Sequence, residues 1–308
     1  VLKEGAAGRC RVRQVRNGEL RACGYGRLTS VSVDPVEKKP LHHFFPGRGI
    51  LSIGGWGCNL ACSFCQNWQI SQRMEEHATA EVHPSRVVEM ALAEDSFGIA
   101  YTYNEPLVGI EYVLDCGALA RAKGLKNVLV TNGYVNQGPA CDILAVTDAL
   151  NLDIKGMDPS FYPSLCKGTL APVLDFAREA VSAGCHVEIT CLLIPGCNER
   201  AEQVRALAVW IKDNLGVSVP LHLSAYHPQY RMTVPPTGVA ALSDACKCAR
   251  EVLPYVYVGN VPGGGWSDTT CPGCGNMLVR RRGYEVAIEG IDGRRCARCS
   301  RTVDMVLG

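Results

Sequence analysis

From residue 50 to residue 259 the chain alternates short apolar runs rich in β-branched residues with longer stretches of helical period. That alternation calls for parallel strands joined by helices, because each run is too short for a helix and each intervening stretch too long for a hairpin. The expected strands are ILSIG (50–54), GIAYTY (98–103), NVLVTN (127–132), ALNLDIK (149–155), HVEITCLL (186–193), LHLSAY (221–226) and VYVG (256–259). The helix signal is clearest after Asn198, which can cap it: Val204, Leu207, Ala208, Ile211 and Leu215 recur at three and four, and Gly216 can stop it. Six or seven such units make a full or partial α/β barrel, with an open doubly wound sheet as the alternative.

The barrel is favoured by where the polar residues fall. Barrel chemistry gathers at the C-terminal ends of strands, and those ends read GGWGCNLACSFC, YTYNEP, TNG, DIK, IPG and YHP, while the strand bodies are apolar. One cavity lined by several loops would produce that pattern. Residues 1–48 carry the basic stretch RCRVRQVR, the possible strand RLTSVSVDP, Cys10 and Cys23, and no useful helix, so an antiparallel N-terminal extension is expected there. The domain reading is therefore 1–48 extension, 49–258 barrel, and 259–308 a Gly/Pro/Ser-rich linker (259–270) followed by a small C-terminal module.

The loop after the first run sets Cys58, Cys62 and Cys65 in a C-x3-C-x2-C spacing. Gly54, Gly55 and Gly57 open the loop, and Phe64 stands between its last two cysteines. Thiolates are soft ligands that suit iron-sulfur clusters and zinc, and a cubane normally takes four cysteines. Three leave one iron open, the mark of a reacting metal rather than a structural one; a zinc site completed by a distant His is the alternative. The C-terminal module is a second site: Cys271, Cys274, Cys296 and Cys299 form C-x2-C-x21-C-x2-C, two knuckles of a zinc ribbon or rubredoxin-like fold, holding zinc or else iron in a closed, structural role.

Seventeen cysteines in 308 residues are too many for a small hydrophobe alone, and a chain this long is unlike a secreted disulfide scaffold, so metal ligation explains the two spaced groups. Cys116, Cys141, Cys185, Cys191, Cys246 and Cys248 sit in apolar surroundings and are expected to be buried. A net charge of +1 supplies no global field toward nucleic acid or membrane. Arg280, Arg281, Arg282, Arg294, Arg295, Arg298 and Arg301 are read as solvated surface, with RNA contact as the alternative. No run of 18 apolar residues and no signal-peptide pattern is present, which leads to the expectation of a cytoplasmic chain with no membrane partner.

The cysteine loop resembles the cluster-binding signature of the radical S-adenosylmethionine (SAM) superfamily. The resemblance implies a partial (β/α)6 barrel in which Cys58, Cys62 and Cys65 hold a [4Fe-4S] cluster, SAM chelates the open iron, and Phe64 packs near the adenine. Reductive cleavage of SAM would then give methionine and a 5′-deoxyadenosyl radical that removes a substrate hydrogen. Glu105-Pro106 resembles the Gly-Gly-Glu-Pro motif of glycyl-radical activators, with Tyr103 and Asn104 in place of the glycines, which implies cofactor contacts for Asn104 and Glu105. A helix first-turn acid is the other reading of Glu105.

The stretch VTNG resembles the activators' Asp-Thr-Asn-Gly and implies Thr131 and Asn132 as cofactor neighbours, while Val130 in place of the acid weighs against a monovalent-cation site. LDIK resembles their Asp-x-Lys, implying that Asp153 and Lys155 bind the cofactor's ribose and carboxylate, with a structural ion pair as the alternative. SAYHP resembles a late-strand Tyr-His and implies His227 as a cofactor contact; His222 is read as a satisfied core residue. Tyr226, Tyr230 and Trp266 are substrate-side candidates.

Across nearly its whole length the chain resembles the radical SAM component of the AmmeMemoRadiSam system, related to pyruvate formate-lyase activating enzyme. The stretches that carry this are DPVEKKPLHHFFPG, GCNLACSFCQNWQIS, YTYNEP, VTNGYV, LNLDIK, IPGCNE, VYVGNVPG and CPGCG. The family implies Memo and AMME partner proteins, a reductant such as flavodoxin or ferredoxin, and an unknown substrate. It also implies an N-terminal Cys-rich segment, of which GRCRVR would be the tail and Cys10 the last ligand. The chain starts at Val1, so either an upstream segment is missing or Cys10 is an orphan thiol. A glycyl-radical activator and a non-catalytic zinc or RNA-binding module are the two further readings.

Overall fold

Each of the seven apolar runs forms a strand in the computed structural model, which describes residues 2–73, 80–261 and 265–308. The strands are β1 (Arg13–Arg16), β2 (Glu19–Ala22), β3 (Arg27–Leu28), β4 (Ser30–Pro35), β5 (Gly49–Gly54), the short β6 (Ala80–Glu81), β7 (Gly98–Tyr101), β8 (Lys126–Thr131), β9 (Ala149–Asp153), β10 (His186–Leu193), β11 (Leu221–Ala225) and β12 (Val256–Gly259). The C-terminal module adds β13 (Thr269–Thr270), β14 (Met277–Arg282), β15 (Glu285–Ile288), β16 (Ile291–Asp292) and β17 (Arg295–Cys296). The helices are α1 (Trp68–Gln72), α2 (Pro84–Ala93), α3 (Ile110–Ala122), α4 (Gln137–Leu144), α5 (Ala171–Ser182), α6 (Ala201–Asn214) and α7 (Val239–Arg250). Among the described residues no helix is long and apolar enough to cross a membrane.

One eight-stranded sheet runs β12-β11-β10-β9-β8-β7-β5-β4. Its strands are parallel from β5 to β12, and β4 lies antiparallel beside β5. The order never reverses. A doubly wound sheet must reverse where its two halves meet, so that alternative falls. With right-handed crossovers, a sequential order sends every helix to one face, where α2, α3, α4 and α5 touch in succession and α6 touches α7. Among the described residues no ladder joins β12 to β4, so the sheet does not close on itself.

Side chains alternate across this sheet as the pleat requires. Leu51, Ile53, Ile99, Leu129, Leu150, Leu152, Ile189 and Leu223 pack with the helices in the main core. Ile50, Ala100, Val128 and Ala149 point the other way and meet Val36, Leu41 and Phe44, so the segment that follows β4 plugs the concave face at the N-terminal ends of the strands. Above the plug the inner face is polar, a departure from the expectation of apolar strand bodies. Asn151 Nδ2 donates to Pro40 O (2.8 Å). Fully buried Glu188 accepts from the backbone N–H groups of His42 (3.0 Å) and His43 (2.7 Å) and meets His222 Nε2 (2.6 Å) and His186 Nε2 (3.0 Å). Burial alone would raise its carboxyl, but those partners hold it well below the carboxylate range. His222 is thus the satisfied core residue expected.

The N-terminal extension is antiparallel, a β1–β2 hairpin, and its β4 joins the main sheet. The C-terminal module docks at the plugged end. Arg281, 3% exposed, donates through Nη2 to His42 O (2.6 Å) and through Nη1 to Thr269 Oγ1 (2.8 Å), with Nε 3.6 Å from Glu37 Oε1. The tail adds Val306 N to His43 O (2.8 Å) and Phe45 N to Val306 O (2.7 Å). Arg281 is therefore no surface residue; Arg280 and Arg282 are paired with Glu289 and Asp268. Residues 262–264 of the expected linker lie outside the described residues.

Two local expectations are corrected. Asn198 does not cap α6, whose N-cap is Arg200 without a side-chain bond. Asn198 instead stitches two strand ends, donating to Lys155 O (2.7 Å) and Leu192 O (2.8 Å) and accepting from Ile194 N (2.7 Å). Cys141 is exposed, on the outer side of α4, whereas Cys116, Cys191 and Cys246 are buried as expected.

Candidate active site

The C-terminal ends of the parallel strands converge on one cavity of about 330 Å³. Cys58, Cys62 and Cys65 line it, and Thr102, Val130, Asp153, Thr190, Leu192 and Ser224 mark the contributions of β7 to β11 and the residues just beyond them. That convergence needs a curved sheet; a flat one would spread these residues along a line.

Glycine lets the cysteine loop turn where it does. Gly57 has φ +84°, and a Cβ there would lie 2.4 Å from Cys10 O, so any side chain would push the N-terminal extension off the loop. Cys10 is accordingly buried beside the loop entrance. Asn104 fastens the same stretch: its Nδ2 donates to Trp56 O (3.0 Å) and Gly57 O (3.2 Å), and its Oδ1 accepts from Gly55 N (2.9 Å). Tyr103 has a left-handed backbone, φ +69°, a strain of about 1–2 kcal/mol in a non-glycine residue. Its hydroxyl donates to Asp34 Oδ2 (2.5 Å), and Lys39 Nζ sits 4.7 Å over its ring.

The loop sulfurs are not equivalent. Cys58 Sγ accepts from Leu60 N (3.4 Å) and Asn132 Nδ2 (3.5 Å). Burial pushes the Cys58 and Cys65 thiols up. A hydrogen bond from the Cys166 thiol holds Cys62 below the usual thiol range.

In the same cavity, Glu105 is 3% exposed and accepts from Thr131 Oγ1 (2.6 Å), Asn132 N (2.8 Å) and Leu107 N (3.1 Å). Burial outweighs these donors and raises its carboxyl to about 7. The bond to Leu107 N makes Glu105 the side-chain cap of a 3-10 turn, and the residue also lines the cavity. Lys155 Nζ stands 3.0 Å from Asp153 Oδ2, both on the cavity wall. Burial works against the Lys155 charge, but Asp153, Cys62 and Cys166 more than offset it and hold the amine well above lysine's range.

Of the expected cofactor residues, Phe64, Asn104, Glu105, Thr131, Asn132, Asp153 and Lys155 all line the cavity. His227 does not: it is exposed, with Nε2 3.2 Å from the carbonyl of Asn260, which does line it. Tyr226 bonds Met232 O, Tyr230 stacks on Trp68, and Trp266 O accepts from Val258 N, so none of these three substrate-side candidates reaches the cavity wall. Sequence reasoning missed Lys38, Pro40, Tyr103, Thr190 and Ser224 on that wall. Thr190 Oγ1 is buried with no partner, a hydroxyl free to meet a ligand. The period-2 alternation of β10, which sets Thr190 on the same face as Glu188, was the available signal.

The donor chemistry fits an iron-sulfur cluster with an amino-acid-bearing cofactor. Three thiols, one carboxyl and one ammonium–carboxylate pair line the space, a donor set that suits a cluster and a zwitterion. The second site is separate. The ligand atoms of Cys271, Cys274, Cys296 and Cys299 all lie within 4.8 Å of one another, with Sγ pairs at 3.6 Å (Cys271–Cys299) and 3.7 Å (Cys274–Cys296). They are the only set packed so closely among the described residues, and four thiols at that spacing suit one closed tetrahedral ion.

Residues 53–208 match the model of the Radical SAM superfamily. The chain is 41% identical over 312 residues to an uncharacterized protein of Methanocaldococcus jannaschii, covering all of this chain and 93% of that one. It is 29% identical over 187 residues to the pyruvate formate-lyase-activating enzyme of Clostridium pasteurianum, covering 59% of this chain and 77% of the relative. Among solved structures, a radical SAM methyltransferase from Sphaerobacter thermophilus matches with a TM-score of 0.55 at 18% identity, covering 71% of this chain and 68% of that one. SuiB of Streptococcus suis bound to S-adenosylmethionine matches with a TM-score of 0.53 at 14% identity, covering 70% and 50%. These two are likenesses of fold.

Proposed function

The chain belongs to the radical SAM superfamily, and from that premise we propose that its cavity holds a [4Fe-4S] cluster on Cys58, Cys62 and Cys65 beside SAM, in a partial (β/α)6 barrel that acts on a still unidentified substrate. A cluster held by Cys58, Cys62 and Cys65 would, when reduced, supply the one electron that reductive cleavage of SAM to methionine and a hydrogen-abstracting 5′-deoxyadenosyl radical requires. The observation that carries this reading is that three thiols line the same cavity as Glu105, Asp153 and Lys155.

The chain's own residues have three tasks. Lys155, oriented by Asp153, offers its ammonium to the cofactor's carboxylate, and Glu105, fixed by Thr131 and Asn132, offers a carboxyl to its amino group. Phe64, 3% exposed, gives an apolar surface beside the thiols for the adenine. The plug from Val36 to Phe44 closes the floor, so water and substrate enter from the loop side, and a shielded cavity keeps a reactive carbon radical from being quenched.

Within the superfamily we read the chain as the radical SAM component of the AmmeMemoRadiSam system, with Memo and AMME proteins as partners and a flavodoxin or ferredoxin as reductant. The plug built from DPVEKKPLHHFFPG supports this, because the stretch on which that resemblance rests has a defined structural task. We read the four-cysteine site as structural zinc. Seventeen free cysteines suit a reducing compartment, and we place the protein in the cytoplasm. A glycyl-radical activator is the second reading, favoured by the 29% identity to the Clostridium pasteurianum enzyme.

Anaerobic reconstitution with iron and sulfide tests the main reading. Dithionite and SAM should then release 5′-deoxyadenosine; an intact cluster without that product would defeat it. A glycyl radical signal appearing on a mixed partner protein would select the second reading.

A further inference from the structure

On the loop side of the cavity stands a stack of four side chains that the function above does not use. Trp68, on α1, stacks on Tyr230 with ring centroids 5.3 Å apart and planes 15° apart. The Arg73 guanidinium lies 4.6 Å from the centroid of the Trp68 ring, and that of Arg231 lies 4.9 Å from the centroid of the Tyr230 ring. The stack belongs to the rim, because Ser71 and Gln72 of α1 line the cavity and Arg231 N donates to Ser63 O (3.0 Å) in the cysteine loop. A tight turn, closed by paired Gln229–Met232 backbone bonds of 3.2 Å, presents Tyr230 at φ +59°, a left-handed backbone that Gly or Asn usually supplies. Such strain persists where the surroundings fix it; here the stack does. The same loop is bonded on another side by Leu165 and Cys166, whose carbonyls accept from Ser63 N (2.9 Å) and Ala61 N (2.8 Å). Next to them is Lys167, whose carbonyl accepts from Arg9 Nη1 (2.6 Å), so the basic N-terminal stretch reaches this rim too. Arg9, Arg73, Lys167 and Arg231 are all exposed, and among the described residues none of them has a carboxylate partner.

We propose that this rim is the docking surface for an acidic stretch of polypeptide, the part of the substrate that leads its reacting carbon into the cavity. The inference rests on the three-thiol reading for the chemistry inside the cavity, while the docking itself needs no iron. A guanidinium laid on a ring keeps its N–H edge for a carboxylate or phosphate, which it can bind through two parallel bonds. Three observations select a polypeptide. Each ring of the stack already has a second ring and a guanidinium against it, which leaves no open face on which a nucleobase could stack. With two rings between them, the Arg73 and Arg231 guanidiniums are too far apart to share one small anion, whereas an extended chain can meet both. A cavity of about 330 Å³ is near the lower bound for one drug-sized molecule, so once a cofactor of that size is in place the bulk of the substrate lies outside, on the rim.

The test is fluorescence anisotropy of a labelled peptide of ten glutamates, titrated with the full chain before and after anaerobic reconstitution. Wild type should bind it saturably. Arg9→Gln and Arg231→Gln should each weaken binding about fivefold, the upper end for one exposed ion pair, while Arg86→Gln, which removes the same charge from α2, should stay within about twofold. No saturable binding by wild type overturns the proposal, as do rim variants that bind like wild type or an Arg86→Gln variant weakened as much as they are. A labelled strand of ten thymidines, or tripolyphosphate, that binds tighter than the peptide overturns the choice of polypeptide and makes the rim a phosphate site. Release of 5′-deoxyadenosine is measured on the same reconstituted samples. Peptide binding without that product counts against the radical reading and leaves the docking surface standing; product without peptide binding does the reverse.

Discussion

Glu105 Oε1 accepts the Thr131 hydroxyl at 2.6 Å, a bond that ties the loop after β7 to the end of β8 and turns one buried carboxyl into a brace between neighbouring strands. Its other oxygen accepts from Asn132 N, so the brace also places Asn132, which in turn donates to Cys58 Sγ. The site is a connected set rather than a row of independent contacts.

The first prediction concerns pH. The Glu105 carboxyl is raised from 4.5 to about 7 by burial, so between those values the folded chain keeps a proton that the unfolded chain has released. Stability must therefore fall as pH rises through this window and level off above it. At about 1.4 kcal/mol per tenfold in proton activity, the whole window is worth about 3 kcal/mol. Urea midpoints of the anaerobic, reduced protein from pH 5 to 8 should decline for wild type and lose that slope in Glu105→Gln. Parallel curves for the two proteins would refute the assignment.

The two cysteine groups share no residue. Cys62→Ala should abolish iron bound after reconstitution while the metal held by Cys271, Cys274, Cys296 and Cys299 stays at wild-type content, because no ligand is shared. Elemental analysis of the purified variant reads both at once. Equal loss of the two metals would contradict separate sites.

Asn104 acts on the loop through three bonds to Gly55, Trp56 and Gly57. Asn104→Ala leaves those groups short of partners and should cost about 1–3 kcal/mol. Because the lost bonds belong to the cysteine loop, the reconstituted variant should also release iron to a chelator faster than wild type. A destabilised fold with unchanged iron release would place the role of Asn104 elsewhere.

Arg281 bonds a carbonyl 239 residues away, in the plug. Arg281→Met strands Glu37 and the His42 carbonyl in a buried place and should cost about 3–5 kcal/mol, read as a lower urea midpoint for the full chain. A change below about 1 kcal/mol would mean that the module is not anchored through this residue.

Much of this could be read along the chain. The β-branched runs became strands because the face toward the helices is apolar along its length, while the other face is apolar at the plug and carries buried polar residues above it. The two cysteine groups were visible because ligands carried on one turn or one hairpin have fixed spacing. Glu105, Asn132, Asp153 and Lys155 were visible because strand ends of a sequentially ordered sheet share one side. Asn198 misled because an Asn before a helix has two uses, capping and loop stitching, and local pattern cannot choose between them. His227 misled because a strand end can be named from sequence while the direction of the residue beyond it cannot.

Sequence alone determined the strand-and-helix alternation, the three-thiol loop and the four-thiol module, since each is written in local period or spacing. Only the tertiary structure decided that the sheet is wound in one direction, that Val36 to Phe44 fills its floor, that Arg281 locks the terminal module to that plug, and that Leu165 and Cys166 bond the backbone of the cysteine loop. The physical reason is distance along the chain: these contacts join segments far apart in sequence, and which of many buried polar groups find one another is settled by packing, where every donor must meet an acceptor at once.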